Sequence, residues 1–215
     1  MKEGAAEIRV ISFDVEGTLA SPDFSNAVWY EGIPALYARR YNLGFDEALA
    51  EIRRAYDEVG DKKKEWYDIR YWLERFRLGD YQPILESCRS RAACYPEVPE
   101  MLSCLAQKYT LIATSGSARE FLSYLLDGIE SHFDRVFSSI SDYGQLKTPQ
   151  FYLTVCREMN VKPGEMVHIG DSLQFDIMAA QEAGIRAFHI HRGQSSGSHT
   201  SLASLSDLKE RLSMF

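Results

Sequence analysis

A handful of carboxylates, one lysine and a set of hydroxyls stand where an α/β protein usually does chemistry. The run Ile8-Arg9-Val10-Ile11-Ser12-Phe13-Asp14-Val15-Glu16-Gly17-Thr18 is apolar and β-branched, ends in Asp14, and carries a second carboxylate, Glu16, two positions later. Ligands bind at the carboxyl ends of strands in open α/β sheets, so Asp14 is placed to react. Alone, such an aspartate could equally start a turn or cap a helix. Three further segments share the pattern. Leu111-Ile112-Ala113-Thr114-Ser115-Gly116-Ser117 ends a strand in hydroxyls before a new helix, which suits an anion or an ordinary helix cap. Lys147 precedes a helix in Gly144-Gln145-Leu146-Lys147-Thr148-Pro149 and could neutralise a phosphoryl group or lie on the surface. Val167-His168-Ile169-Gly170-Asp171 ends another strand in a carboxylate, and Asp176 follows five positions later.

Carboxylates gathered in one site repel each other and need a cation to stay ionised. Oxygen ligands without His or Cys select a hard ion, so Mg²⁺ is expected.

The elements that must position these groups can be read from pattern. Strands are expected at Ile8 to Phe13, Tyr109 to Ala113, Arg135 to Ser138, Met166 to Ile169 and Arg186 to Ile190. From the second onward they alternate with helical periodicity, which implies crossover connections and a parallel sheet with helices on both faces. From Pro22 to Pro96 the rhythm breaks. Helices are expected there at Ala27 to Tyr41, Phe45 to Val59, Lys62 to Leu78 and Tyr81 to Ala92, with Asn42-Leu43-Gly44 as one stop and Gly60-Asp61 as a stop and a cap. The chain thus divides into a core, 1–20 with 97–215, and an all-helical insertion, 21–96. Gly193 to Ser198 is expected to be a flexible loop.

The bulk numbers narrow the partners. A chain of 215 residues with 45% apolar and 26% charged residues supports one α/β domain with an insertion. The net charge of −7 argues against nucleic acid, because no basic stripe is available to neutralise phosphates. Cys88, Cys94, Cys104 and Cys156 lack CxxC spacing and are expected to be reduced thiols. No window is long and apolar enough for a membrane span, and the start of the chain does not look like a signal peptide.

Asp14-Val15-Glu16-Gly17-Thr18, Thr114-Ser115, Lys147 and Gly170-Asp171 with Asp176 together resemble, in order and spacing, the four motifs of the haloacid dehalogenase-like hydrolase superfamily. The resemblance covers essentially the whole chain. It implies a Rossmann-like, doubly wound core with an inserted helical cap, a phospho-aspartyl intermediate, and Mg²⁺ dependence in the phosphatases. By that resemblance Asp14 is the nucleophile, and Asp14, Asp171 and the backbone carbonyl of Glu16 hold the metal. Lys147 and Thr114, with Ser115 and Gly116, bind the phosphoryl oxygens, while Asp176 and Thr18 position these groups. Most family phosphatases carry Asp where this chain has Glu16, and dehalogenases commonly carry an aromatic residue. Glu moves the carboxyl by one methylene, roughly 1.5 Å.

The expected activity is hydrolysis of a small phosphorylated metabolite by a cytoplasmic monomer or homodimer, with no nucleic acid and no membrane involved. A 2-haloacid dehalogenase, or a non-catalytic phospho-accepting or binding relative, is the alternative. Most aromatic residues of the insertion are expected to pack on one another, with Trp29 or Tyr30 reaching the substrate. Ser21, Pro22, Tyr95 and Pro96 are expected hinges.

Overall fold

A computed structural model describes residues 7–193 and 200–212. Six strands form one parallel sheet: β1 (Val10–Phe13), β2 (Thr110–Ser115), β3 (Arg135–Ser138), β4 (Met166–Gly170), β5 (Arg186–Ile190) and β6 (Ser201–Leu202), in the order β3-β2-β1-β4-β5-β6. Every residue of β1 and β4 is buried, as expected where helices cover both faces of a parallel sheet. The order reverses about β1, so the crevice at a topological switch point opens beside it. Four details differ from expectation. β1 starts at Val10, β2 runs from Thr110 to Ser115 and so takes in both hydroxyls, β4 extends to Gly170, and β6 is a two-residue strand too short to leave a pattern in the sequence.

Between β1 and β2 the chain is helical: α1 (Asp23–Ala27), α2 (Ile33–Tyr41), α3 (Phe45–Val59), α4 (Ile69–Arg75) and α5 (Gln82–Cys88). The expected first helix begins earlier, at Asp23, and a π-helical turn at Val28–Gly32 joins α1 to α2. It stops at Asn42, whose positive φ of 55° is the left-handed end the sequence suggests. The helix expected over Lys62 to Leu78 is broken. A 3₁₀ turn covers Lys64–Tyr67, and Asp68, in extended conformation, caps α4 by accepting from Arg70 N at 2.9 Å and Tyr71 N at 3.3 Å. Asp68 therefore takes the capping role expected of Asp61. Likewise Tyr81 to Ala92 divides into α5 and a 3₁₀ turn at Arg89–Arg91. The remaining helices are α6 (Val98–Leu105), α7 (Arg119–Leu125), α8 (Ser139–Tyr143), α9 (Pro149–Glu158), α10 (Ala179–Glu182) and α11 (Leu208–Leu212).

The insertion leaves and rejoins the core side by side. Ser21 N donates to Ala93 O at 3.0 Å and Tyr95 N to Leu19 O at 2.9 Å. Its interior is aromatic, with Tyr56 against Trp72 at 4.6 Å and Trp72 stacked on Phe76 at 5.5 Å. It docks on α7 through Phe24 stacked on Tyr124 and Trp29 stacked on Phe121, both at 5.2 Å. Such pairs contribute about 0.5–1.5 kcal/mol each beyond burial. The apolar residues of the insertion and of one sheet face thereby form a continuous cluster.

No described helix is long and apolar enough to cross a membrane. All four cysteines are free. The loop expected to be flexible lies, apart from Gly193, outside the described residues.

Candidate active site

Adjacent strands deliver the two main carboxylates. Phe13 and Ile169 are partners in the β1–β4 register, and Asp14 N donates to Ile169 O at 2.8 Å. Asp14 and Asp171 therefore leave neighbouring strand ends at the crevice. Gly17 makes room for Asp171: with φ of 76° it favours glycine, and a Cβ there would stand 2.2 Å from Asp171 Oδ2. Gly170 does the same for Asp176, whose Cγ would lie 2.2 Å from an added Cβ.

Oxygen atoms of Asp14, Asp171 and Asp176 lie within 4.8 Å of one another. Lys147 Nζ, buried, donates to both Asp14 and Asp176. Burial pushes the Asp14 carboxyl well above the usual range; Lys147 opposes this and Asp176 and Asp171 reinforce it. Burial and the nearby Asp176 also raise Asp171. Asp176 goes the other way: although burial disfavours its charge, Lys147 and His168 hold it below the usual range. Ser172 N donates to its second oxygen at 2.9 Å, so the fully buried Asp176 carboxylate has hydrogen bonds on both oxygens. Burial opposes the charge of Lys147, but Asp14 and Asp176 raise it above its ordinary value. Oxygen-only donors, two of them destabilised as anions, fit a hard divalent cation.

Glu16 stands over this floor. Ser25 Oγ, from α1, donates to its carboxylate, and burial pushes Glu16 up to about 7. A carboxyl group in that range can both give and take a proton at neutral pH.

The hydroxyl pair separates. Ser115, at the end of β2, lines the cavity with Gly116 and Ser117, and its Oγ accepts from Ser117 N at 3.0 Å. Thr114 does not reach the cavity. Side chains alternate along a strand, which places Thr114 beneath the site, with its Oγ1 2.7 Å from Ser12 Oγ and 3.4 Å from His168 Nδ1. Of the two hydroxyls expected to bind substrate, Ser115 lines the cavity and Thr114 does not. Thr18 is also buried away from the cavity, and its carbonyl accepts from Arg192.

One supporting network went unread in the sequence. His168 Nδ1 is 2.9 Å from Ser12 Oγ, and its Nε2 is 3.1 Å from both Asp176 Oδ1 and Tyr152 Oη. A neutral imidazole with its proton on Nε2 serves Asp176 while accepting from Ser12, and burial favours that neutral form. Ser12, His168 and Tyr152 look like core positions of strands and a helix. Only the register places them under Asp176.

The cavity above the carboxylates has a volume of about 410 Å³. Trp29 and Tyr30 line it, as do Asp61, Trp66 and Tyr67 from the turn before α4.

The profile of the haloacid dehalogenase-like hydrolases matches residues 8–184. The chain belongs to this hydrolase family. Among relatives, glyceraldehyde 3-phosphate phosphatase of Methanopyrus kandleri is 27% identical over 202 residues, covering 87% of this chain and 85% of the relative. The GMP/IMP nucleotidase YrfG of Escherichia coli is 24% identical over 184 residues, covering 84% and 81%. The fold is similar to that of a solved HAD phosphatase from Thermococcus onnurineus, with a TM-score of 0.84 at 23% identity and coverage of 95% and 98% of the two chains. A haloacid dehalogenase-like hydrolase thus has its expected doubly wound core here, with Asp14, Lys147, Asp171 and Asp176 drawn together and Glu16 beside them.

Proposed function

We propose that this hydrolase is a Mg²⁺-dependent phosphatase that cleaves a small phosphate monoester by way of a phosphoryl group carried on Asp14. The observation that carries this reading is the buried Asp14 carboxylate, held at a strand end against Lys147, with Glu16 two residues on. The two curated relatives support it, being named for glyceraldehyde 3-phosphate and for GMP and IMP, which are all phosphate monoesters.

An Asp14 carboxylate oxygen attacks phosphorus in line, and the ester oxygen leaves on the opposite side. Glu16 protonates that oxygen and then takes a proton from the water that cleaves the acyl phosphate. Lys147 and Ser115, with the neighbouring amides of Gly116 and Ser117, bind the equatorial oxygens as charge develops. Asp176 holds Lys147, and the His168–Tyr152 pair beneath holds Asp176. Mg²⁺ would be held by Asp14, Asp171 and the backbone carbonyl of Glu16, and would supply neutralisation of the phosphoryl charge. Residues 21–96 serve as a cap that closes the site, with Ser21, Pro22, Tyr95 and Pro96 at its base. The enzyme would work on soluble metabolites in the cytoplasm.

Glu16 weighs against dehalogenation, whose halide leaves as an anion without a general acid. A receiver-like phospho-acceptor does not suit a helical insertion directly after β1. The test is phosphate release from a panel of phosphorylated metabolites with Mg²⁺ and with a chelator, alongside chloride release from a chloroacid. Phosphate release that the chelator abolishes is expected. Phosphate release undiminished in chelator would remove the metal from the reading, and chloride release alone would replace it.

A further inference from the structure

The catalytic floor leaves most of the cavity unexplained. A volume of about 410 Å³ is far more than one phosphoryl group needs and lies in the range of small-molecule sites. Its outer wall is aromatic and ordered. Trp29 is fixed by stacking on Phe121 at an interplanar angle of 13°, Trp66 stands 6.4 Å from Trp29, and Tyr67 stands 4.9 Å from Trp66. Flat rings that are already packed accept another flat ring at little ordering cost.

Charge is divided as sharply. Among the described residues Lys147 is the single cation lining the cavity, and Asp14 and Asp176 both engage it. On the outer wall the charged group is Asp61, which makes no hydrogen bond or ion pair with any described residue. An acid on an exposed turn is ordinarily just solvated. Asp61 differs because it stands in the cavity wall with Trp66 and Tyr67; burial, Asp61 and Glu16 push the Tyr67 phenol up to about 12, with Lys147 opposing them. Lys62, Lys63 and Lys64 follow it in sequence, but none lines the cavity, and Lys64 Nζ lies 3.7 Å from where a Cβ of Gly144 would stand, on the core side. A second anionic group on a substrate would therefore meet Asp61 with no counter-charge. A protonated amine would meet Asp61 in a wall that also carries the rings of Trp66 and Tyr67.

We propose that the outer cavity selects phosphate esters of an aromatic alcohol that bears a protonated amine facing Asp61, and rejects esters carrying a second anionic group. This specificity rests on the phosphatase reading above. Asp61 is then a specificity-determining residue, contributed by the turn that follows α3.

The test uses the phosphate esters of tyramine, 4-ethylphenol and 3-(4-hydroxyphenyl)propionate, which share a similar leaving phenol and differ in the charge of the side arm. Ethanolamine phosphate supplies the amine without the ring. For the wild-type enzyme with Mg²⁺, kcat/KM should fall from the tyramine to the ethylphenol to the propionate ester. Each step should be about threefold to tenfold, the size of an exposed charge or cation–π contact. Ethanolamine phosphate should fall below the tyramine ester. Asp61→Asn should bring the tyramine-to-ethylphenol ratio towards one, and Asp61→Lys should favour the propionate ester.

Binding of the same four esters to Asp14→Asn, followed by tryptophan fluorescence, reads the selectivity without turnover. Ordered binding with no hydrolysis by the wild type would uphold the outer site and overturn the phosphatase reading. Equal or tighter binding of the propionate ester, failure to bind any aromatic ester, or ratios that Asp61→Asn and Asp61→Lys leave unchanged would overturn the proposal.

Discussion

The floor and the outer wall of the cavity are built on opposite principles. On the floor, Asp14 and Asp171 leave neighbouring parallel strands whose register fixes them to each other. Gly17 and Gly170 clear the space for Asp171 and Asp176, and Lys147 ties Asp14 to Asp176. The rings of the outer wall come from a π-helical turn and a 3₁₀ turn of the insertion: Trp29 stacks on Phe121 of α7, Trp66 lies against Trp29, and Tyr67 against Trp66. Charge and backbone geometry set the floor, so substitutions there should act on chemistry. Packing and one loose carboxylate set the wall, so substitutions there should act on which substrate is held.

The largest effect should come from the floor. Asp14→Asn should keep the fold and drop turnover to background, since an amide cannot form the acyl phosphate. Asp171→Asn should instead raise the Mg²⁺ concentration needed and recover part of its turnover at high Mg²⁺. Steady-state rates across a Mg²⁺ titration separate the two. Substantial turnover by Asp14→Asn, with deamidation excluded by mass spectrometry, would break the distinction.

The next effect sharpens the floor itself. Ser115→Ala should lower kcat by about 10²-fold or more, the usual loss when a donor to a developing oxyanion is removed. Thr114→Val should leave kcat within a few-fold. It should lower the melting temperature, because Ser12 and His168 lose a buried partner. The opposite ranking would restore Thr114 to the substrate.

These two neighbours show what was legible in the sequence. Asp14, Asp171 and Asp176 announce themselves by strand ends and local spacing, and Lys147 by its place before α9. Choosing between Thr114 and Ser115 needs the side-chain parity at the end of β2, which the run Leu111-Ile112-Ala113-Thr114-Ser115 does not reveal. The helix expected over Lys62 to Leu78 failed for a local reason. Asp68 competes for the backbone amides of Arg70 and Tyr71 and starts α4 afresh. That break leaves Trp66 and Tyr67 lining the cavity beside Asp61. The network of Ser12, His168 and Tyr152 is invisible locally because its members are 156 and 16 residues apart in successive pairs.

The smallest effect belongs to the outer wall. Trp66→Ala should raise KM by about threefold to tenfold, the size of one aromatic contact, and leave kcat for a small phosphate ester within twofold. Saturation kinetics on an aryl and an alkyl phosphate check this. A loss confined to kcat would mean that the wall acts on chemistry and that the division between floor and wall is false.

The central claim is that the phosphoryl group passes through Asp14 while Glu16 moves the protons. Glu16→Gln mixed rapidly with an aryl phosphate and Mg²⁺ tests it most directly. An aryl leaving group departs without an acid, whereas the second step still needs the base, a contribution of about 10²–10⁴-fold. The account predicts a burst of one phenolate per site, then a stall, with the phosphoryl group recovered on the Asp14 peptide after acid quench. A uniform slow rate with no burst and no phosphorylated Asp14 would contradict it.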